Sequence, residues 1–141
     1  YSRYPILVDR MKTDADADAV AGLWADDGIR DFNPTRPPQR GRKEIAAAYA
    51  NAYKSGSEGF NTLRRFYSSI NVLIEPSPEG AVGTSYFAMM KSGAKKGQPS
   101  EVEFNGWYND VFVKTPEGWK FKSRKFTRGP GAASAAAAPA R

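Results

Sequence analysis

The order of the predicted elements constrains the fold of this 141-residue chain more than any other feature. Apolar residues recur at helical spacing up to residue 53, and from residue 61 they alternate as in strands. Helices and strands segregated in this way favour an α+β fold over a parallel α/β fold. A long antiparallel sheet must cover its apolar face. We therefore predict a cone-shaped α+β barrel, in which three N-terminal helices pack on a curved, mostly antiparallel sheet and leave a pocket.

Three helices are predicted within the first 53 residues. Apolar side chains recur at i, i+3, i+4 and i+7 in residues 1–12, which predicts an amphipathic helix there. Thr13 or Asp14 can cap a second helix, whose apolar face includes Trp24 and which we expect to end at residues 26–28. The other predicted elements of this half are a short strand at residues 29–33 and a third helix at residues 41–53.

Four strands are predicted in the second half, where turn signals separate runs of alternating apolar residues. In the first of them Ile70, Val72 and Ile74 share one face, which we expect to be the core face. We expect one domain over residues 1–128 and a C-terminal tail rich in Ala, Gly and Pro over residues 129–141. The strands are predicted at residues 61–75, 81–91, 101–113 and 119–127.

The chain contains neither cysteine nor histidine. This composition excludes a disulfide framework, a thiol nucleophile and a cysteine metal site. It also removes the usual general base near neutral pH and the commonest metal ligand. Acid–base chemistry must therefore come from Asp, Glu, Tyr, Lys or Arg. No ligand cluster has metal-binding spacing and no Gly-rich phosphate loop follows a strand, so we expect neither a metal nor another cofactor.

The net charge of +6 comes partly from a basic cluster in the last predicted strand. Acidic residues are interspersed elsewhere and no nucleic-acid-binding motif is present, so we interpret this cluster as a solvated strand face. No apolar run approaches the ~20 residues of a membrane-spanning helix, and we expect a soluble protein. The chain begins at Tyr1, which leaves the compartment open between a favoured cytoplasmic location and a periplasmic one after processing.

Several stretches of the sequence resemble the SnoaL-like branch of the nuclear transport factor 2-like superfamily. The resemblance extends from about residue 4 to residue 127 and implies a cone-shaped α+β domain with a hydrophobic pocket. It also implies a homodimer or higher homo-oligomer formed through the outer sheet face, and proton transfer on a small apolar or aromatic substrate without a cofactor. The stretches are residues 14–28, 40–45, 71–76, 106–110 and 117–124.

The candidate catalytic residues follow from this resemblance. Tyr4 and Asp9 match a pattern of dehydratase-like members, in which a Tyr on the first helix is followed five residues later by an Asp. A phenol can donate to a developing oxyanion, and a carboxylate that is desolvated in a pocket can act as a base near pH 7. Dehydratase-like members place a His at the start of the long strand, which corresponds to Tyr67 when counted back from Asn71, whereas strand alternation would direct Phe66 to the core face, and a bulge could reconcile the two. The resemblance thus implies Asp9 as the base and Tyr4 with Tyr67 as oxyanion donors, and it argues against a His-dependent dehydration.

Other polar side chains are candidates for substrate binding. Asn109 is the nearest match to an oxyanion donor of isomerase-like members, whereas Asp110 lies on the opposite strand face with Tyr108, and the sequence leaves both faces open. Asp31 lies one residue from the position of the isomerase-like carboxylate, and Arg65 could bind an anionic or phenolic oxygen. The remaining expected lining residues are Trp24, Phe32, Tyr49, Phe66 and Trp107.

Three functional hypotheses remain open at this point. The first is a cofactor-independent lyase or isomerase that moves a proton on an aromatic or polycyclic molecule, in a dehydration, a retro-aldol cleavage or a cyclisation. The second is a binding module that keeps the pocket without the chemistry, and the third is a protein-interaction module that uses the outer sheet face. The convergence of two or more ionisable groups inside the pocket would favour the first hypothesis over the second.

Overall fold

The computed structural model describes residues 3–55, 65–91 and 98–129, and for residues 65–67 and 104 it describes the backbone alone. The helices are α1 (Arg3–Arg10), α2 (Asp14–Ala21) and α3 (Gly41–Ser55). The strands are β1 (Trp24–Asp31), β2 (Gln39–Arg40), β3 (Arg65–Ser77), β4 (Gly80–Lys91), β5 (Glu101–Thr115) and β6 (Gly118–Arg128). Apart from Gly129, the predicted C-terminal tail lies outside the described residues.

The described strands form one sheet in the order β2-β1-β6-β5-β4-β3. Neighbouring strands are antiparallel except β1 and β6, which pair in parallel. Register shifts interrupt four of the five pairings, and such irregularities bend a sheet. Helix α1 contacts β3, and α3 contacts β1 and α2. The predicted α+β cone of three helices on a curved, mostly antiparallel sheet is confirmed.

Helix α2 ends earlier than the sequence predicted. Trp24 is the first residue of β1, and the predicted helix end at residues 26–28 lies inside this strand. The parallel partner β6 explains the difference, because the Phe121 amide donates to the Leu23 carbonyl oxygen at 2.8 Å. In addition, the Lys120 ammonium donates to the Gly22 carbonyl oxygen at 2.7 Å. These bonds from a distant strand satisfy carbonyl groups that a longer helix would have used.

Strand β3 does not have the regular alternation that the sequence predicted. Asn71 has a φ of 51°, in the left-handed region, and the register with β4 shifts between Ile70 and Leu73. Such a bulge changes the face to which the following side chains point. Ile70, Val72 and Ile74 are 49%, 44% and 54% exposed, so the expectation that they form a core face is wrong for this chain.

The hydrophobic core lies between the three helices and the inner face of the sheet. Rings from α1, α3 and the strands meet there, with Trp24 at 5.1 Å from Phe121 and 6.1 Å from Tyr49 between ring centroids. Such edge and tilted contacts contribute beyond their buried area. The largest fully buried side chains are Trp24, Arg124, Tyr49, Tyr108, Ile45, Met89, Val20 and Ser85.

Candidate functional site

A cavity of about 610 Å³ opens between α1, the segment after β1 and the inner face of β4, β5 and β6. Its volume lies within the range of about 300–1,000 Å³ that is typical of small-molecule sites. Half of the lining residues are aromatic, namely Tyr4, Phe32, Phe87, Tyr108 and Phe126. The other lining residues are Asn33, Pro34, Lys125, Thr127 and Arg128.

Tyr108 is the centre of the aromatic lining. Its ring centroid lies 5.1 Å from that of Phe87, 5.5 Å from that of Phe32 and 5.6 Å from that of Phe126. Alternation along β5 turns Tyr108 inward, and the edge of the Tyr4 ring approaches it with a centroid distance of 6.1 Å. The two phenols therefore enter the cavity from opposite layers of the fold, one from helix α1 and one from the sheet.

The hydroxyl groups of two buried tyrosines are hydrogen-bonded to each other. The hydroxyl oxygens of Tyr4 and Tyr49 lie 3.0 Å apart, and the ring of Tyr108 lies beside that of Tyr4 at a centroid distance of 6.1 Å. Burial raises the pKa of both Tyr4 and Tyr108 well above its ordinary value, and the nearby charge of Arg124 only partly opposes this effect. Both phenols are therefore protonated at neutral pH and can donate a hydrogen bond.

A buried ion pair lies behind these phenols. Arg124 Nε and Nη2 donate to the two carboxylate oxygens of Asp110, each at 2.8 Å, and both side chains are fully buried. The Arg124 guanidinium carbon lies 4.4 Å from the Tyr4 ring centroid and 4.2 Å from those of Tyr108 and Phe121. Burial disfavours the charged guanidinium, but the hydrogen bonds and charge of Asp110 outweigh it and raise the pKa of Arg124. A permanent cation is thus fixed beside the phenols.

A second buried arginine supports the other side of the cavity. Arg30 is 3% exposed, and its guanidinium carbon lies 4.0 Å from the Phe32 ring centroid and 4.6 Å from that of Tyr49. Its Nη1 donates to the Gln39 side-chain oxygen at 2.8 Å, which ties β1 to β2. Cation–π contacts of this kind hold the planes of both rings in place.

The structure places the predicted catalytic residues in different environments. Tyr4 lines the cavity, but Asp9 is exposed on α1 and is absent from the cavity lining. Five residues of an α-helix turn through about 140°, which explains why one side chain is buried and the other is not. The base role of Asp9 required a desolvated carboxylate, and the exposed Asp9 does not meet that condition. The side chains of Tyr67, Phe66 and Arg65 lie outside the described residues.

The predicted substrate-binding residues divide in the same way. Phe32 lines the cavity, whereas Trp24 and Tyr49 are fully buried behind it and support the lining rings. On β5 the inner face is the one with Tyr108 and Asp110, and Asp110 is committed to its ion pair. The expectation that Trp107 and Asn109 line the cavity is therefore wrong. Both residues lie on the opposite strand face, where Trp107 is half-buried and Asn109 is exposed. The half-buried Asp31 is likewise not a lining residue.

Sequence reasoning did not identify Phe87, Phe126, Lys125 or Arg128 as functional residues, although all four line the cavity. Alternation along β4 would have placed Phe87 inward together with Met89. In β6 the alternation of inward and outward side chains is interrupted, because the register with β5 shifts between Val111 and Phe112. In the basic cluster that we interpreted as a solvated strand face, Arg128 lies on the same strand face as Phe126, whereas Lys125 lies on the opposite face with Asn109.

Neither a metal site nor a membrane-spanning element is found in the described ranges. No three or more acidic residues there come together in a way that could hold a metal ion. None of the helices α1, α2 and α3 has the length and apolarity required to cross a bilayer.

Comparisons with known proteins agree with this architecture. Residues 1–125 match the model of the SnoaL-like domain family. No curated protein sequence matches the chain. Among solved structures, ActVI-ORFA from Streptomyces coelicolor is similar to this chain at 20% identity, with a TM-score of 0.73 over 91% of this chain and 90% of that one.

Two structures from Novosphingobium aromaticivorans share the same fold. An NTF2-like protein with a cystatin-like fold is 20% identical, with a TM-score of 0.69 over 94% of this chain and 79% of its own. A protein named for scytalone dehydratase is 21% identical, with a TM-score of 0.66 over 91% and 78% of the two chains. The family match over residues 1–125 shows that the chain belongs to the SnoaL-like domain family.

Proposed function

We propose that this chain is a cofactor-independent lyase or isomerase that moves a proton on a hydrophobic aromatic or polycyclic small molecule. The observation that carries the proposal is the convergence of two buried, protonated phenols, Tyr4 and Tyr108, on an aromatic-lined cavity. Dehydration, retro-aldol cleavage and cyclisation all develop negative charge on a substrate oxygen. Donors already directed at that oxygen stabilise such a transition state.

The geometry supports a division of roles between the phenols and the buried cation. Tyr108 and Tyr4 donate hydrogen bonds to a substrate carbonyl oxygen as it becomes an enolate oxygen, and the proton that leaves the neighbouring carbon passes to a solvent base at the open mouth of the cavity. Arg124 stacks on both rings and maintains a positive potential behind them, while Asp110 fixes its position and orientation. The aromatic lining holds a flat ring system and excludes water, which strengthens each of these interactions.

Replacement of either phenol by phenylalanine tests this proposal. The probe is deuterium exchange at C1 of 2-tetralone in D₂O, followed by NMR, because this aromatic ketone exchanges through an enolate. Tyr108→Phe and Tyr4→Phe are each expected to slow the enzyme-dependent exchange about a hundredfold, since each removes an oxygen donor and leaves the ring. Tyr86→Phe is the matched control, because Tyr86 is 52% exposed on the opposite face of β4. Wild-type exchange at the buffer rate, or unchanged rates in both variants, would contradict the proposal.

A non-catalytic binding module is the second candidate function. It is favoured by the absence of carboxylates among the described lining residues and of histidine from the chain. Aromatic ligands would then bind, for example 2-naphthol followed by its fluorescence, while no enzyme-dependent exchange would occur. The exchange assay therefore separates the two candidates directly.

We also propose that the chain forms a homodimer through the outer face of the sheet. Cross-strand register places one set of apolar side chains together on that face, and several of them are about half exposed. An apolar surface of this extent is typical of a protein interface. We call this set the outer patch, which comprises Ile70, Leu73, Val82, Tyr86, Trp107 and Val111.

Introducing a charge into the outer patch tests the dimer. Leu73→Lys is expected to weaken self-association at least tenfold, because a lysine would be buried without a partner at the interface. Sedimentation velocity measures the effect, and Ile6→Lys on α1 is the control at a comparably exposed apolar residue. A wild-type chain that stays monomeric would overturn the dimer and favour the third hypothesis, a protein-interaction module that uses the same patch.

A further inference from the structure

Tyr49 reaches the cavity only through another residue. It is fully buried on the face of α3 that also buries Ile45 and Ala52, and it is not among the described lining residues of the cavity. Its hydroxyl oxygen lies 3.0 Å from that of Tyr4, which does line the cavity. Tyr49 can therefore act on a bound molecule by contact only through the Tyr4 hydroxyl group.

The ring of Tyr49 is held by contacts that do not involve its oxygen. The Arg30 guanidinium carbon lies 4.6 Å from the ring centroid, and the Trp24 ring lies 6.1 Å away between centroids. These contacts fix the position from which the hydroxyl group meets Tyr4. A phenylalanine in place of Tyr49 keeps both ring contacts and loses only the oxygen.

The hydrogen bond between the two phenols can form in either direction. The two hydroxyl groups carry two protons, and one of these protons lies between the oxygens. If Tyr4 donates to Tyr49, the Tyr4 proton is engaged inside the core. If Tyr49 donates to Tyr4, the Tyr4 proton points away from Tyr49 and can bind an acceptor in the cavity.

We infer that Tyr49 is a positioning residue, which donates a hydrogen bond to the Tyr4 oxygen and so directs the Tyr4 proton to an oxygen atom of the ligand. This inference rests on the proposed function, since it assigns the Tyr4 proton to the substrate carbonyl. A phenol that accepts a hydrogen bond becomes a stronger donor, because successive bonds polarise one another in a low-dielectric core. Tyr49 thus orients the Tyr4 hydroxyl group and strengthens its bond to the developing oxyanion.

The exchange assay on 2-tetralone tests this inference with Tyr49→Phe. The rate at saturating ketone should fall about tenfold, while the half-saturating concentration changes no more than about threefold, because the bond from Tyr4 strengthens mainly as charge develops on the substrate oxygen. Tyr53→Phe is the matched control, since Tyr53 lies one turn later on α3, is half-buried and is not a described lining residue. It should keep the wild-type rate.

A double variant distinguishes positioning from packing. If Tyr49 acts through Tyr4, the combination of Tyr49→Phe with Tyr4→Phe should exchange at the rate of Tyr4→Phe alone. A role in packing would lower the rate by a similar factor in both backgrounds. A wild-type rate in Tyr49→Phe, or a further tenfold loss in the double variant, would overturn the inference.

A second replacement of Tyr49 tests the direction of the bond and keeps the hydroxyl group in the core. 3-Fluorotyrosine at this position is a more acidic phenol and a stronger donor, so exchange should be at least as fast as in the wild-type protein. Slower exchange would mean that Tyr49 is the acceptor, which contradicts the inference.

The inference and the proposed function fail in different measurements. 2-Tetralone and tetralin share one ring system and differ in the carbonyl oxygen, and their displacement of 2-naphthol, followed by its fluorescence, needs no turnover. Wild-type protein is expected to bind the ketone about tenfold more tightly, and Tyr49→Phe should reduce this preference to about threefold. Exchange that is unchanged in Tyr49→Phe refutes only the inference. If wild-type exchange equals the buffer rate, the proposed function fails, and a ketone preference that Tyr49→Phe leaves unchanged then refutes the inference as well.

Discussion

Asp110→Ala is expected to lower the free energy of unfolding by about 3–5 kcal/mol, as other broken buried ion pairs do. The substitution leaves the Arg124 guanidinium inside the core without the carboxylate that accepts its two hydrogen bonds. Both side chains are fully buried, so water cannot replace the lost partner without opening the core. Urea unfolding followed by far-UV circular dichroism measures the change.

Two further variants show whether the loss comes from the unpaired charge. Asp110→Leu combined with Arg124→Met removes both charges with side chains of similar size and should be much less destabilising than Asp110→Ala alone. Lys54→Met breaks an exposed pair with Asp14, at 59% and 67% exposure, and should cost less than about 1 kcal/mol. If Asp110→Ala lowers the free energy of unfolding by no more than Lys54→Met does, Asp110 does not compensate the buried charge of Arg124 in the way that the geometry indicates.

Trp24→Ala is expected to cost about 3–5 kcal/mol, as the truncation of large buried aromatic side chains does. Trp24 is fully buried, and its ring contacts Tyr4, Tyr49 and Phe121 at centroid distances of 5.1–6.1 Å. Its Nε1 donates to the Ile29 carbonyl oxygen at 3.2 Å, so the substitution also removes this hydrogen bond from a half-buried acceptor.

A second tryptophan provides the control for this substitution. Trp119 is 54% exposed near the β5–β6 turn, and Trp119→Ala removes the same ring from a partly solvated environment. We expect it to cost less than about 1 kcal/mol. Thermal unfolding of the two variants at one protein concentration compares their stabilities. Similar losses of stability would show that the buried ring of Trp24 contributes no more than the exposed ring of Trp119.

Local signals in the sequence predicted local structure well. Thr13, one of the two expected capping residues, caps α2, since its hydroxyl oxygen accepts the Asp16 amide at 3.2 Å while the Asp16 carboxylate accepts the Thr13 amide at 2.9 Å. The end of α2 was wrong because the segment around Trp24 pairs with a strand almost one hundred residues later. Periodicity within a short window contains no information about such a partner.

The sequence predicted residues of the candidate site in two situations only. Either the family resemblance pointed to the residue, or the regular alternation of a strand determined the face on which its side chain lies. Tyr4 was identified by its match to family members, and the inner face of β5 with Tyr108 was one of two stated possibilities. The left-handed backbone of Asn71 and the register shift opposite Phe112 were not visible, because each depends on pairing across the sheet. Phe126 was therefore not identified as a lining residue of the cavity.

The parallel pairing of β1 with β6 has a consequence for the biosynthesis of this protein. Strand β1 is complete at Asp31, but the ribosome must add almost ninety more residues before β6 begins at Gly118. Until then the nascent polypeptide exposes the aromatic side chains of α1 and β1, which chaperones can recognise. Phe126 and Arg128 are among the last described residues to emerge and also complete the cavity. A prematurely terminated product therefore lacks both the closing strand and any ability to capture a ligand.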